Sequence, residues 1–177
     1  MSLRLALVIC APLIAAARTP EEMLRAAREV MEAAPYCFLI TVDGAGQPQA
    51  RLMQQFPPEA DLRAVWMGTH PASRKAGQIR ANPRAALACS HAAGPGYVTL
   101  TGRARLVDDP ALRRKYWRPD WDAHFPGGPG GPGYILIEFT PERLELVSGA
   151  HKIGVTPASP RPPALVRRGG AWAAARD

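Results

Sequence analysis

The sequence predicts an α+β fold: a small, mostly antiparallel β-barrel of six to seven strands with about three helices. Three observations point there. Strand-like alternation recurs in short blocks bounded by turn residues, and most connections are too short for parallel crossovers. Regular strand–helix alternation, the mark of a doubly wound sheet, is missing. At 177 residues the chain suffices for one domain of ordinary size with its own core.

The elements follow in order. Thr19-Pro20-Glu21-Glu22 is a helix start, with a Thr cap, Pro at the first helical position and Glu three residues after the cap. Met23, Leu24, Ala27, Val30, Met31 and Ala34 recur at helical spacing up to Pro35. Residues 36–42 and 49–56 read as the two arms of a hairpin across Asp43-Gly44-Ala45-Gly46. A strand is expected over 64–69, then a short helix over 73–81 stopped by Asn82-Pro83. Residues 85–91 and 97–107 form a second hairpin across Gly94-Pro95-Gly96. Residues 109–117 are helical with Asp109 as cap, 127–133 are a Gly-Pro loop, and 134–140 and 144–147 are two closing strands.

The two ends read differently from the middle. Residues 1–17 hold one cation, Arg4, a 13-residue apolar run, and small residues at Ala15 and Ala17. That pattern fits a signal peptide cut before Arg18, and the run is too short to span a bilayer. An exported, periplasmic chain is expected; a buried first element of a cytoplasmic protein is the alternative. Residues 150–177 are basic and Pro-rich, which predicts a flexible tail, although Leu165, Val166 and Trp172 could dock. The domain is thus expected over 18–149.

Charge placement tests what the net charge of +7 means. Residues 18–149 carry 16 basic and 14 acidic side chains, whereas 150–177 carry five cations against Asp177. The excess lies mostly in the tail, so no broad footprint for a phosphate backbone exists and nucleic-acid binding is not expected.

Other chemistries are excluded by spacing. The three cysteines and four histidines show no metal-ligand pattern, and no metal is expected. Cys37 and Cys89 fall in predicted strands, either as small buried hydrophobes or as a disulfide in an oxidising compartment. No GxSxG elbow is present, and Cys89, Ser90 and His91 alternate across a strand and cannot act as one site by themselves. The Gly127–Gly133 run opens no helix and is not a dinucleotide loop.

One segment breaks a local rule. If Ser73 caps the second helix, Arg74 and Lys75 occupy its first turn, where cations oppose the helix dipole. They are either solvated surface side chains or part of an anion site. In the second case backbone N–H groups, the Ser73 hydroxyl and two cations converge on a phosphate. Arg51, on a preceding strand with Leu52 and Met53, can add a third cation.

The stretch from Trp66 to Arg84 (WMGTHPASRKAGQIRANPR) resembles the flavin-phosphate segment of the pyridoxamine 5'-phosphate oxidase family. The segments YVTLTGRAR from Tyr97 and YILIEFTPERLE from Tyr134 continue the match, which covers about residues 20–149. WRPDWDAHFPG, from Trp117 to Gly127, is similar to the general stress protein branch. The resemblance implies an FMN-binding split barrel and a homodimer with flavin between subunits. It implies that Arg51, Leu52 and Met53 flank the phosphate and ring, Gly68 and Thr69 line the flavin, and Ser73, Arg74 and Lys75 hold its phosphate. Tyr97 stands where the oxidases usually carry Gln, so stacking replaces a hydrogen bond there. Tyr116, Trp117 and Trp121 would face a substrate. The oxidases end in a Trp-containing strand and an Arg-x-His element, whereas this strand ends Leu144-Glu-Leu-Val-Ser-Gly-Ala-His151, which argues against vitamin B6 as substrate. The expectation is a flavin-dependent oxidoreductase of unknown substrate. The alternatives are a deazaflavin or haem binder and a non-enzymatic flavin carrier of the cell envelope. No residue stands out as acid, base or nucleophile.

Overall fold

The computed structural model describes residues 18–91 and 94–176. The proposed signal peptide, 1–17, lies outside the described residues. Helix α1 (Pro20–Ala33) begins with the expected capping box: the Thr19 hydroxyl accepts from the Glu22 amide while the Glu22 carboxylate accepts from the Thr19 amide. Its apolar stripe, Met23, Ala26, Ala27, Val30 and Met31, is buried.

Eight strands form a single sheet: β1 (Cys37–Val42), β2 (Pro48–Met53), β3 (Val65–Thr69), β4 (Arg84–Ser90), β5 (Gly96–Val107), β6 (Ile135–Ser148), β7 (Ala164–Arg168) and β8 (Ala171–Ala174). Helices α2 (Arg74–Ala81) and α3 (Pro110–Lys115) complete the set, with short 3₁₀ turns at Pro119–Trp121 and Gly128–Gly130. The strand order is β2-β1-β4-β5-β6-β7-β8, with β3 paired to β6, and every pair is antiparallel. The sheet curls without closing: a single bridge, Gln55 to Met67, brings the chain after β2 against β3, but no ladder follows. This is the α+β split barrel that the sequence predicts.

Inward positions of the long strands fill the core. Leu39, Leu87, Leu100, Ile137, Phe139, Leu144 and Leu146 are fully buried, and α1 packs on them with Met23, Val30 and Met31. Each such side chain contributes about 1.5–3 kcal/mol by leaving water. A second cluster is aromatic and includes Phe56, Trp66, Tyr116, Trp121 and Tyr134. Cys37 and Cys89 form a disulfide, with Cα atoms 4.5 Å apart, resolving the choice left open by their types. Phe38 pairs with Ala88, so the two cysteines face each other across β1 and β4.

Two expectations are corrected. The closing strands 134–140 and 144–147 are one 14-residue strand, β6. Pro141 is tolerated because a register shift opposite Thr101 and Gly102 bulges the strand there. On the edge away from β5, β3 pairs with Ile135–Phe139 and β7 with Arg143–Glu145, so neither partner needs an amide from Pro141.

The segment expected as a tail carries two strands, and the sheet runs past residue 149 to Ala174. β7 and β8 form a hairpin through Gly169 and Gly170, both at positive φ (57° and 87°), where only glycine is unstrained. Leu165 is fully buried beneath it. Trp172 donates from Nε1 to the Asp61 carbonyl at 2.8 Å, and Arg167 lies 5.3 Å from the Trp172 ring centroid. The basic composition concealed side chains that alternate onto a sheet and find acceptors in the 57–63 loop.

Candidate functional site

Two hollows meet at the N-terminus of α2. β3 ends at Thr69, the chain turns through His70-Pro71-Ala72, and Ser73 caps the helix. The turn is held by the Ser73 amide on the His70 carbonyl (3.0 Å) and the Ala72 amide on His70 Nδ1 (3.0 Å). Ser73 Oγ accepts from the Ala76 amide at 3.3 Å and lies 3.1 Å from Thr69 Oγ1. The first turn contains Arg74 and Lys75 and no acidic residue.

Arg51 comes from β2, across the ladder from Leu39. Its Nη1 donates to Thr41 Oγ1 at 2.5 Å, and its Nη2 donates to Gln78 Oε1 at 3.0 Å. The Thr41 hydroxyl donates to the same Gln78 oxygen at 2.6 Å. Nη1 also donates to the Leu39 carbonyl at 3.4 Å, and a guanidinium anchored at three points presents its remaining donors in a fixed direction.

These residues line a pocket of about 310 Å³, bounded by Gln49, Ala50, Arg51, Ser73, Arg74, Lys75 and Gln78. Burial, reinforced by the Arg51 charge, pushes the Lys75 ammonium below its ordinary pKa. Burial and the Arg74 charge act in the same direction on Arg51. Among the described residues no carboxylate pairs with any of the three. Three cations held together without a counter-ion repel one another, a repulsion that a bound anion would relieve.

Lys75 also lines a larger cleft of about 500 Å³ with Leu52, Met53, Gly68, Thr69 and Trp121. Gly68 is required there by close packing: an added Cβ would lie 2.3 Å from Trp121 Cζ3 and 2.7 Å from Tyr134 Cε2. Trp121 is fixed by its Nε1 donating to Gln54 Oε1 at 3.1 Å.

The structure therefore brings together Arg51, Leu52, Met53, Gly68, Thr69, Ser73, Arg74, Lys75 and Trp121. It places the other three elsewhere. Tyr97 pairs with Ser90 and Val147 at the far end of the sheet and lines neither hollow. Tyr116 is buried, stacked on Trp66 at 4.7 Å, and Trp117 packs edge-on to Tyr134 at 4.9 Å. Both belong to the aromatic core rather than the cleft wall. Sequence reasoning missed Gln78 and Thr41, which aim Arg51, and Gln54, which holds Trp121. Gln78 was discoverable, since it lies one helical turn after Lys75 on the same face.

An open split barrel with a cationic pocket beside a longer cleft defines the architectural class of this protein. Within it the chain belongs to the pyridoxamine 5'-phosphate oxidase family, whose model matches residues 23–148. It is 26% identical over 114 residues to general stress protein 26 of Bacillus subtilis, covering 63% of this chain and 79% of that protein. Solved structures share the fold. A protein related to general stress protein 26 from Clostridium acetobutylicum superposes with a TM-score of 0.65 at 20% identity, over 74% of this chain and 92% of that one. A pyridoxamine 5'-phosphate oxidase-related, FMN-binding protein from Nostoc punctiforme gives 0.59 at 18% identity, over 88% and 93%. A haem-binding protein from Mycobacterium smegmatis gives 0.59 at 17% identity, over 75% and 56%.

Proposed function

We propose that this chain binds FMN across the two hollows and serves as a flavin-dependent oxidoreductase acting on a small molecule. One observation carries the reading: Arg51, Arg74 and Lys75 surround the Ser73-capped helix end with no carboxylate partner among the described residues. The residues fit the group. A terminal phosphate is matched by three cations and the α2 N-terminus, and a flat ring by the cleft between Leu52, Met53 and Trp121. When bound, FMN supplies the electron transfer; the protein's part is to anchor, orient and shield it. Gly68 lets Trp121 and Tyr134 pack close against β3, and the Gln54–Trp121 bond fixes one wall.

The active form is a homodimer. Phe38 (49% exposed) faces Leu52 (58% exposed) across β1 and β2, and Tyr97 (39% exposed) stands on the same outward face of the sheet. A second copy covers this apolar surface and brings Tyr97 toward a flavin at the interface. The protein works outside the cytoplasm, a placement that suits the Cys37–Cys89 disulfide. No helix among the described residues is long and apolar enough to cross a membrane.

A haem reading draws on a different observation, the presence of His70 and His124 along the same cleft. The absorption spectrum of the purified full chain separates the two. A yellow protein with stoichiometric FMN is expected, and Arg74→Ala with Lys75→Ala should weaken FMN binding at least about a hundredfold, two charge-assisted contacts being lost. A Soret band supports haem instead. A colourless protein that ignores added FMN sinks the flavin reading.

A further inference from the structure

A third hollow, of about 330 Å³, adjoins the cleft, and Tyr36 and Gln54 line both. Its walls combine apolar side chains, Met31, Pro35, Phe56, Pro57 and Pro58, with polar surface of about equal extent. Its principal polar group is Arg118. The guanidinium carbon lies over the Phe56 ring, 4.7 Å from its centroid, and 5.6 Å from that of Trp121. Its Nη2 donates to the Gln55 carbonyl at 2.7 Å. Among the described residues no carboxylate pairs with it. The acidic group in the lining, Glu32, is engaged by Arg28 at 3.2 Å.

We infer that this pocket takes the carboxylate of a small organic acid with a flat apolar body, with Arg118 as its anchor. The planar fork is held by two rings and one carbonyl; Nε is buried, so the terminal nitrogens are the donors left for a carboxylate. Partial burial among prolines and aromatic rings strengthens the pairing relative to water. Free phosphate is better served by the Arg51–Lys75 pocket, where three cations stand together instead of one. The size falls at the lower end of small-ligand pockets, about 300–1,000 Å³. Through Tyr36 and Gln54, an acid seated here extends its body toward the cleft. That it is the molecule oxidised or reduced rests on the flavin reading; that it binds does not.

The test is calorimetric titration of the full chain, free of FMN, with benzoate as probe and benzamide as its neutral counterpart. Wild type should bind benzoate saturably and benzamide at least about tenfold more weakly, one charge-assisted pair being absent. Arg118→Met keeps a stem against Phe56 and should lose benzoate by about tenfold or more. Arg118→Lys keeps the charge without the fork, and its partial loss tests geometry should the Met variant fail to fold. Arg74→Ala with Lys75→Ala should bind benzoate as wild type does, whatever its affinity for FMN. No saturable benzoate binding by wild type overturns the assignment. Unchanged binding by folded Arg118→Met, or a loss confined to the Arg74/Lys75 variant, overturns it equally. FMN titration of the same samples reports on the flavin reading separately.

Discussion

Arg51 Nη2 lies 3.0 Å from Gln78 Oε1, a bond that ties an edge strand to the helix carrying the other two cations of the pocket. The Thr41 hydroxyl shares that oxygen. Gln78→Leu removes the common acceptor and lets the guanidinium turn away. FMN affinity is expected to fall by about tenfold, the worth of one charge-assisted hydrogen bond, with the fold intact. Fluorescence titration of FMN checks this, and an unchanged affinity denies Arg51 its positioned role.

Lys75 gives the site a pH dependence of definite sign. Burial and Arg51 hold its pKa below the ordinary 10.5, so the unfolded chain keeps this proton more tightly than the folded one. The ligand-free protein therefore gains stability as pH rises through the window between the depressed value and 10.5. A bound phosphate needs the ammonium charged, so FMN affinity should fall over the alkaline limb of the same window. Lys75→Met should bind more weakly and lose that limb. Affinity profiles for both proteins that stay parallel to high pH contradict the assignment.

Gly68→Ala forces a methyl group into Trp121 and Tyr134, at 2.3 and 2.7 Å. Overpacking of this kind costs about 1–3 kcal/mol. Denaturant unfolding should show that loss, and adding Trp121→Leu should restore part of it by making room. Absence of any recovery in the double variant places the strain elsewhere.

The disulfide closes a loop of 52 residues between Cys37 and Cys89. Chain entropy alone makes such a link worth about 4 kcal/mol. Replacing both cysteines with Ala, or adding reductant, should lower the thermal midpoint by a clear margin. Identical melting curves with and without reductant mean that the link contributes nothing.

Leu165 tests the C-terminal hairpin. It is fully buried between β6 and β8, so Leu165→Ala should cost about 2–5 kcal/mol by urea unfolding. FMN affinity should hardly change, because the hairpin pairs with β6 beyond the residues that β3 uses. A variant as stable as wild type returns the segment to the status of a loose tail.

Much of this was legible beforehand because the signals are local. The Thr19 capping box, the turn residues at 43–46 and 94–96, and two cations behind a Ser cap each act within a few residues. What escaped depends on register. Cys37 meets Cys89, and Gln78 meets Arg51, only after β1 is aligned with both neighbours. Pro141 reads as a strand breaker until the partner strands are known to stop on either side of it. Trp117 and Tyr116 look like cleft aromatics in the sequence, but Trp66 and Tyr134 claim their faces. Arg118 gives no sequence signal, since its place is defined by rings from Phe56 and Trp121.

The change of partners along β6 gives the barrel a seam. Up to Phe139 the strand backs β3, which leads into the Thr69–Ser73 turn; beyond Pro141 it backs β7, the first arm of the C-terminal hairpin. Within the sheet, additions or rearrangements of the C-terminal hairpin therefore reach only the second half of the strand, and outside it they meet the 57–63 loop. The chain can be remodelled at that end, to acquire a new surface or shed one, while the register that delivers Gly68 and Lys75 to the cleft stays fixed.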